Sequence, residues 1–175
     1  MSPSYKILAA LPTYGPDPIR FSDTGMGMHS EGFVVEFFPG EDRAWVGNFH
    51  RGLSSFDAAT AHPNGYLVIV VAGGSAYFVD PEKRDVEQTF GGDIVYLEDA
   101  KDIQAVVLGD PCGLHAQYPD SRISTPRISW DGMRNLERDV EAISGEAWDP
   151  MQNAWLPFRA DLRSGEVEGG SYINE

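Results

Sequence analysis

Hydrophobic residues in this chain come in short runs that Gly, Pro and Asp separate. The clearest run, residues 66–72, is apolar throughout and has the length of a strand, which predicts a central strand covered on both faces. The pair Gly73 and Gly74 follows it and predicts a two-residue hairpin turn into residues 76–79. The pattern therefore indicates β-hairpins rather than helices.

Further short hydrophobic runs, separated by turn residues, occur along the chain. Six strand candidates fall between residues 66 and 118, joined by turns of two to five residues. An earlier pair, residues 33–38 and 43–49, predicts another hairpin across the Pro-Gly turn at residues 39–42. Short strands at this spacing are typical of an all-β sandwich, barrel or blade-like meander.

Two segments lack a clear strand pattern. Residues 1–30 contain Pro12, Pro16 and Pro18, which exclude a continuous helix or a central strand there. We expect an irregular N-terminal arm or loop over these residues. Residues 54–59 have the composition of a short helix with a serine as its N-cap.

Residues 133–143 fit both a helix and a strand. Met133, Leu136, Val140 and Ile143 recur every three or four residues, as on one face of a helix. Turn dipeptides precede and follow the segment at hairpin spacing: Asp-Gly ends at residue 132 and Ser-Gly begins at residue 144. We favour strand for this reason.

Together these patterns predict a single all-β domain over residues 1–175, with about ten short antiparallel strands and an irregular arm. The stretches GYLVIVVAGGSAYFVDP and LPFRADLRSGEVEGGSY resemble blades of β-propellers. That resemblance touches about half of the chain and implies a fold without implying a function. The turn at residues 91–96 is similar to those of cupin barrels, which would imply a ligand site in a barrel mouth.

Charge narrows the choice of partner. The chain carries 27 acidic and 13 basic side chains, for a net charge of −14. A field of this sign repels nucleic acids and anionic membranes and attracts basic proteins. The acidic excess is concentrated in residues 80–110 and 131–175. If these segments share a face, they form a docking surface for a cationic partner; if they are spread around turns, they only solubilise the chain.

No catalytic or metal-ligating pattern is visible. The four histidines, His29, His50, His62 and His115, are far apart, so a metal site would require them to converge in space. Cys112 has no neighbouring base or positive field, which predicts a small buried residue. The serines form no nucleophile motif. We therefore predict no catalytic residue, metal or cofactor. A lone cysteine and the lack of a signal-peptide pattern favour the cytoplasm.

Carboxylates and tryptophans remain as candidates for binding. Acidic residues at turns are expected for backbone hydrogen bonding alone, and a glycosidase or calcium site would need more specific spacing. Three of the four tryptophans lie close together in the last third of the chain, and tryptophan is enriched in binding hot spots. The predicted partner-binding residues are Trp130, Asp131, Trp148, Asp149, Trp155, Glu166 and Glu168.

We therefore expect a small, acidic, non-enzymatic binding protein that engages a basic protein partner. An immunity or inhibitor protein that neutralises a basic toxin or nuclease is a concrete form. The alternative is a small-molecule site in a cupin-like β-barrel, including a metal-dependent enzyme in which two or more histidines meet. A structural or oligomerisation module with exposed edge strands is a third interpretation.

Overall fold

A computed structural model describes residues 4–25, 30–40 and 43–172. Within these ranges it contains sixteen short strands and one 3-10 turn, and the strands form four four-stranded sheets. The all-β class is confirmed. There are more strands than the ten or so predicted, because parts of the chain that lack a strong hydrophobic pattern also pair. Within the described residues, none of the four sheets closes into a barrel, and no barrel mouth of the cupin-like kind is formed there.

The chain divides into two compact units, residues 1–94 and residues 95–175. That the two units form a single domain stays a prediction. The strands of the first unit are β1 (Ser4–Leu8), β2 (Ile19–Phe21), β3 (Phe33–Phe38), β4 (Trp45–Phe49), β5 (Ala58–Ala61), β6 (Val68–Ala72), β7 (Ser75–Asp80) and β8 (Asp85–Gly91). Those of the second unit are β9 (Tyr96–Ala100), β10 (Ala105–Gly109), β11 (Leu114–Gln117), β12 (Arg122–Ser124), β13 (Met133–Asp139), β14 (Ala142–Asp149), β15 (Ala154–Asp161) and β16 (Val167–Gly169).

The first sheet has the order β1-β3-β4-β2, and the second has the order β5-β6-β7-β8. The predicted N-terminal arm thus supplies two edge strands: β1 pairs with β3, and β2 runs parallel to β4. The proline-containing stretch between them is irregular, because proline cannot donate to a ladder, and residues 22–25 after β2 form a turn. Every position of β6 is buried, as expected of a strand covered on both faces. Aromatic rings of β3, β4 and β7 fill the core of this unit, with Phe37, Phe49 and Tyr77 inaccessible to solvent.

Residues 54–59 are not helical. Ser54 lies in a bend, where its hydroxyl donates to the carbonyl of Ile94 and accepts the backbone N–H of Phe56. The strand β5 then begins at Ala58. The serine expected to cap a helix instead holds a loop, since a serine hydroxyl satisfies turn and cap N–H groups equally well.

The Gly73-Gly74 turn joins β6 and β7 as predicted, with both glycines at positive φ. At Gly74, where φ is +91°, an added Cβ would lie 2.7 Å from the Ser54 hydroxyl and 2.9 Å from the Gly92 carbonyl oxygen. Gly65 has a similar φ of +83° but open space around it.

We expect Gly74→Ala to destabilise the protein more than Gly65→Ala. Gly65→Ala carries only the backbone cost of left-handed φ, about 1–2 kcal/mol. Gly74→Ala adds the crowding of a fixed backbone carbonyl, for roughly 1–3 kcal/mol more. Urea unfolding of both variants measures the difference. Equal losses would show that the space around Gly74 relaxes freely.

The second unit contains two meanders, β9 to β12 and β13 to β16, in which consecutive strands are neighbours. Each has the form of a propeller blade. One core lies within this unit, and Leu114, Ile128 and Ile143 in it are inaccessible to solvent. The 3-10 turn Lys101–Ile103 precedes β10. No helix in the described part of the chain is long and apolar enough to cross a membrane.

The strand prediction for residues 133–143 is confirmed, because β13 and β14 form an antiparallel hairpin. The helix-like spacing has a local cause. The register of β13 shifts between Arg134 and Glu137, and Asn135 within this bulge has a φ of +52°. The extra residue lets Met133 and Leu136, three apart, both pack against the core. Val140, the third member of the pattern, is exposed in the hairpin turn.

Candidate functional site

The sheet of strands β13 to β16, which we call the fourth sheet, has one face packed on the core of the second unit and the other face turned away from it. On β14, Ile143 and Ala147 belong to the core, as do Phe158 and Ala160 on β15. Because side chains alternate along a strand, the residues between them point outward. The outer face, as we name it here, consists of Arg134, Glu137, Ser144, Glu146, Trp148, Trp155, Pro157, Arg159 and Glu168.

A tryptophan pair lies at one end of the outer face. Trp148 and Trp155 are directly opposed on β14 and β15, and their ring centroids are 5.2 Å apart at an angle of 53°. Both side chains are half-buried. The Arg134 guanidinium lies 4.2 Å from the Trp155 centroid, and its Nε donates to Glu146 at 2.9 Å. Asn135 donates to the same carboxylate at 2.7 Å.

These contacts fix the charge of Glu146. Hydrogen bonds from Arg134 and Asn135 lower the pKa of this carboxyl below its usual value. Glu146 therefore remains ionised at neutral pH and holds Arg134 over the indole of Trp155. The ring of Trp155 is therefore held in place, and the positive charge of Arg134 beside it is neutralised by Glu146.

Trp130 is placed beside this pair by a shared hydroxyl. Its backbone N–H donates to Ser171 Oγ at 3.2 Å, and Ser171 Oγ donates to the Trp148 carbonyl at 2.6 Å. Trp130 is 43% exposed, and its ring meets Tyr172 edge to face, with centroids 4.7 Å apart. The Arg127 guanidinium lies over both rings. The structure thus brings the three predicted tryptophans to the same end of the fourth sheet.

The predicted partner-binding carboxylates do not all lie beside the three tryptophans. Asp131, Glu166 and Glu168 are exposed, and in the part of the chain that the structure describes their carboxylates make no hydrogen bond or ion pair. Asp149 is 5% exposed, and its oxygens accept the backbone N–H groups of residues 151 and 152 and the Gln152 side chain. Asp149 therefore holds the β14–β15 turn, and its carboxylate is largely buried.

Glu166 and Glu168 line a shallow groove of about 710 Å³ within the second unit. Arg159, which faces Glu168 across β15 and β16, is also in its wall. Arg159 is four residues from Trp155, a distance of roughly 13 Å along a strand. Glu168 and the pair Trp148 and Trp155 therefore lie toward opposite ends of the outer face, with Glu166 just before β16 at the Glu168 end. Ser124, Pro126, Asp161, Ser164, Gly165 and Val167 complete the groove.

The described histidines each have separate partners. His50 Nδ1 lies 3.8 Å from the Asp23 carboxylate. His62 is 8% exposed, accepts the Asn64 N–H on Nδ1 and packs edge to face on Phe78. His29 lies outside the described residues. Among those that are described, no group of three His, Cys, Asp or Glu side chains could hold a metal ion. Cys112, predicted to be buried, is half-buried.

His62 provides a pH prediction. Burial lowers its pKa below 6.5, although the contact with Asn64 opposes the shift. The unfolded chain then binds a proton more readily than the folded protein, so stability is full above about pH 6.5 and falls as the pH drops below that value. We expect His62→Gln to reduce the stability difference between about pH 7.5 and about pH 5.5, measured by urea unfolding. An unchanged difference would contradict this account of His62.

His115 belongs to a hydrogen-bonded chain that the sequence did not reveal. Its Nδ1 lies 2.9 Å from Ser124 Oγ, its cross-strand partner on β12, and its Nε2 lies 3.0 Å from Asp110 Oδ2. Asp110 begins the β10–β11 turn, and its other oxygen accepts the N–H groups of Cys112 and Gly113. No local sequence signal marks this chain, because it depends on the register of β11 and β12, which places Ser124 opposite His115.

Asp110 is ionised in this chain. Burial of Asp110 disfavours its charged form, but the hydrogen bonds from His115, Cys112 and Gly113 outweigh that effect and lower its pKa. The carboxylate is therefore held in place as an acceptor for the imidazole.

No protein-family model matches the chain, and no curated protein matches it in sequence. A function therefore has to be inferred from the chemistry of two features, the outer face and the Ser124–His115–Asp110 chain.

Proposed function

We propose that this chain is a small acidic cytoplasmic protein that binds a basic protein partner through the outer face. The supporting observation is the pair Trp148 and Trp155, whose rings lie side by side at an angle of 53° and half-buried on the side of the sheet away from the core. Tryptophan and arginine dominate binding hot spots because they combine a large apolar area with directed polar contacts. An immunity or inhibitor protein is the concrete form of this proposal.

Charge supports a basic partner. The whole chain has a net charge of −14, which speeds the encounter with a cation. Glu166 and Glu168 are not neutralised by neighbours in the described chain, whereas Arg134 is already paired with Glu146. The surface therefore offers negative charge at Glu166 and Glu168, and the positive charge of Arg134 beside Trp155 is neutralised by Glu146.

The two ends of the outer face would have different roles. Trp148 and Trp155 would anchor the partner by burying apolar area, which mainly slows dissociation. Glu166 and Glu168, at the groove, would pair with lysine or arginine side chains and mainly speed association. In an inhibitor, those cations would be the ones that the partner uses on its own anionic substrate.

A deca-arginine peptide tests the proposal. We expect it to bind at about 50 mM salt and much more weakly at about 500 mM, because exposed charges are screened at that ionic strength. Glu166→Gln/Glu168→Gln should weaken binding several-fold. Asp17→Asn/Asp93→Asn makes the same change in charge at exposed sites of the first unit and should have a smaller effect. Equal effects, or no binding at low salt, would contradict the proposal.

A further inference from the structure

The chain from Ser124 through His115 to Asp110 has the connectivity of a nucleophile, a base and an orienting acid. With its proton on Nε2, His115 donates to Asp110 Oδ2 and leaves Nδ1 to accept the Ser124 hydroxyl proton. Ser124 is exposed, whereas the His115 and Asp110 side chains are 14% and 24% accessible. The exposed Ser124 hydroxyl is thus hydrogen-bonded to a base, and the base is hydrogen-bonded to an acid. Both the base and the acid are largely shielded from water.

Ser124 also opens into a cavity. It lines the groove of about 710 Å³ together with Arg159, Glu166 and Glu168. Among the described lining residues Arg159 is the basic one; its guanidinium, which lies 3.6 Å from Asp139, would have to leave that exposed ion pair to donate to an oxyanion. The carboxylates on the groove wall favour a substrate that carries positive charge.

We propose that Ser124 is the nucleophile of an esterase site that accepts carboxylic esters bearing a positive charge. His115 is its general base, and Asp110 is a positioning residue. The site does not include the tryptophan pair but shares Glu166 and Glu168 with the proposed docking surface, and the proposal does not rest on the binding function. Turnover here would show that the expectation of a non-enzymatic chain is wrong.

The reaction balances without any further reagent. Ser124 Oγ bonds to the ester carbonyl carbon while His115 Nδ1 takes the hydroxyl proton, and the C=O electron pair moves onto oxygen. Collapse of this intermediate breaks the bond to the alcohol, which takes the proton from His115. Water then attacks the acyl-serine while His115 Nδ1 takes its proton. Collapse of the second intermediate breaks the bond to Ser124 Oγ, which takes that proton back from His115, and the acid is released. Asp110 stays ionised throughout.

Labelling with diisopropyl fluorophosphate tests the nucleophile. The Ser124 oxygen would displace fluoride from phosphorus, and peptide mapping by mass spectrometry would locate one adduct at Ser124. Ser124→Ala should abolish it. His115→Gln should slow labelling about a hundredfold, since positioned general bases contribute roughly that much. Asp110→Asn, which retains an oxygen for the turn N–H groups, should also slow it.

Ser164 is the matched control, because it lines the same groove but its hydroxyl donates to the Asp161 carboxylate instead of a histidine. Ser164→Ala should label at the parent rate. Circular dichroism confirms that each variant is folded. Absence of an adduct at Ser124 in the parent protein, or equal labelling of folded His115→Gln, would overturn the proposal.

The p-nitrophenyl esters of acetic acid and of trimethylammonioacetic acid test the substrate class. We expect a burst of p-nitrophenol with both and a kcat/KM about tenfold higher for the cationic ester, after correction for uncatalysed hydrolysis. Glu166→Gln/Glu168→Gln should remove that preference without abolishing the burst. Equal kcat/KM values for the two esters in the parent protein would overturn the assignment of a cationic substrate.

Discussion

Replacing Trp148 and Trp155 together with alanine is expected to weaken binding of deca-arginine at least tenfold. The two indoles form one surface, and Arg134 and Glu146 keep the ring of Trp155 in place. Truncating both removes the stacking area for guanidinium groups, and a tenfold loss corresponds to about 1.4 kcal/mol. Isothermal titration calorimetry at about 50 mM salt measures the change.

The matched control uses exposed aromatic residues of the first unit. Tyr14 and Tyr66 are 90% and 51% exposed. Tyr14→Ala/Tyr66→Ala should leave the affinity for the peptide within about twofold of the parent value, because rim or remote contacts contribute little. A similar loss in both double variants would mean that the peptide binds without preference for the outer face.

Phe158→Ala is expected to cost about 3–5 kcal/mol of the free energy of unfolding, the range for an aromatic side chain removed from a core. Phe158 is 4% exposed and packs within the core of the second unit. An added Cβ on Gly145, its cross-strand partner, would lie 3.1 Å from the Phe158 ring, so little room exists there for rearrangement. Urea unfolding followed by circular dichroism gives the value.

Arg159→Ala is the control at the next position of β15. Its side chain is 50% exposed and reaches Asp139 at 3.6 Å, a surface ion pair worth at most about 1 kcal/mol. The contrast tests the alternation that defines the outer face. If Arg159→Ala were as destabilising as Phe158→Ala, the two faces of this sheet would be assigned incorrectly.

The fold followed from the sequence where local signals were strong. The apolar run and the Gly73-Gly74 pair specified the β6–β7 hairpin and its register, because a two-residue turn leaves one way to pair the strands. The helix-like spacing in β13 could not be resolved by periodicity alone. A bulge adds one residue to a strand, and the resulting spacing of three between Met133 and Leu136 is the same as in a helix.

For the candidate sites too, some residues could be predicted from the sequence and others could not. Trp148 and Trp155 could be selected from composition, and their outward position follows from alternation once β14 is known. Asp149 could not be distinguished from exposed acids, because its role depends on the turn N–H groups that it accepts. Ser124 and His115 meet through the register of β11 and β12, which no local pattern encodes.

Indole N–H resonances in a ¹H–¹⁵N spectrum test the central claim most directly. The four tryptophans give four such signals, and Trp45, which is 5% exposed and donates its Nε1–H to the Pro81 carbonyl, serves as an internal reference. On titration with deca-arginine, we predict saturable shifts for Trp148 and Trp155, a constant Trp45, and loss of the shifts at about 500 mM salt. Shifts that spare Trp148 and Trp155, or that move all four signals equally, would contradict a binding role for the outer face.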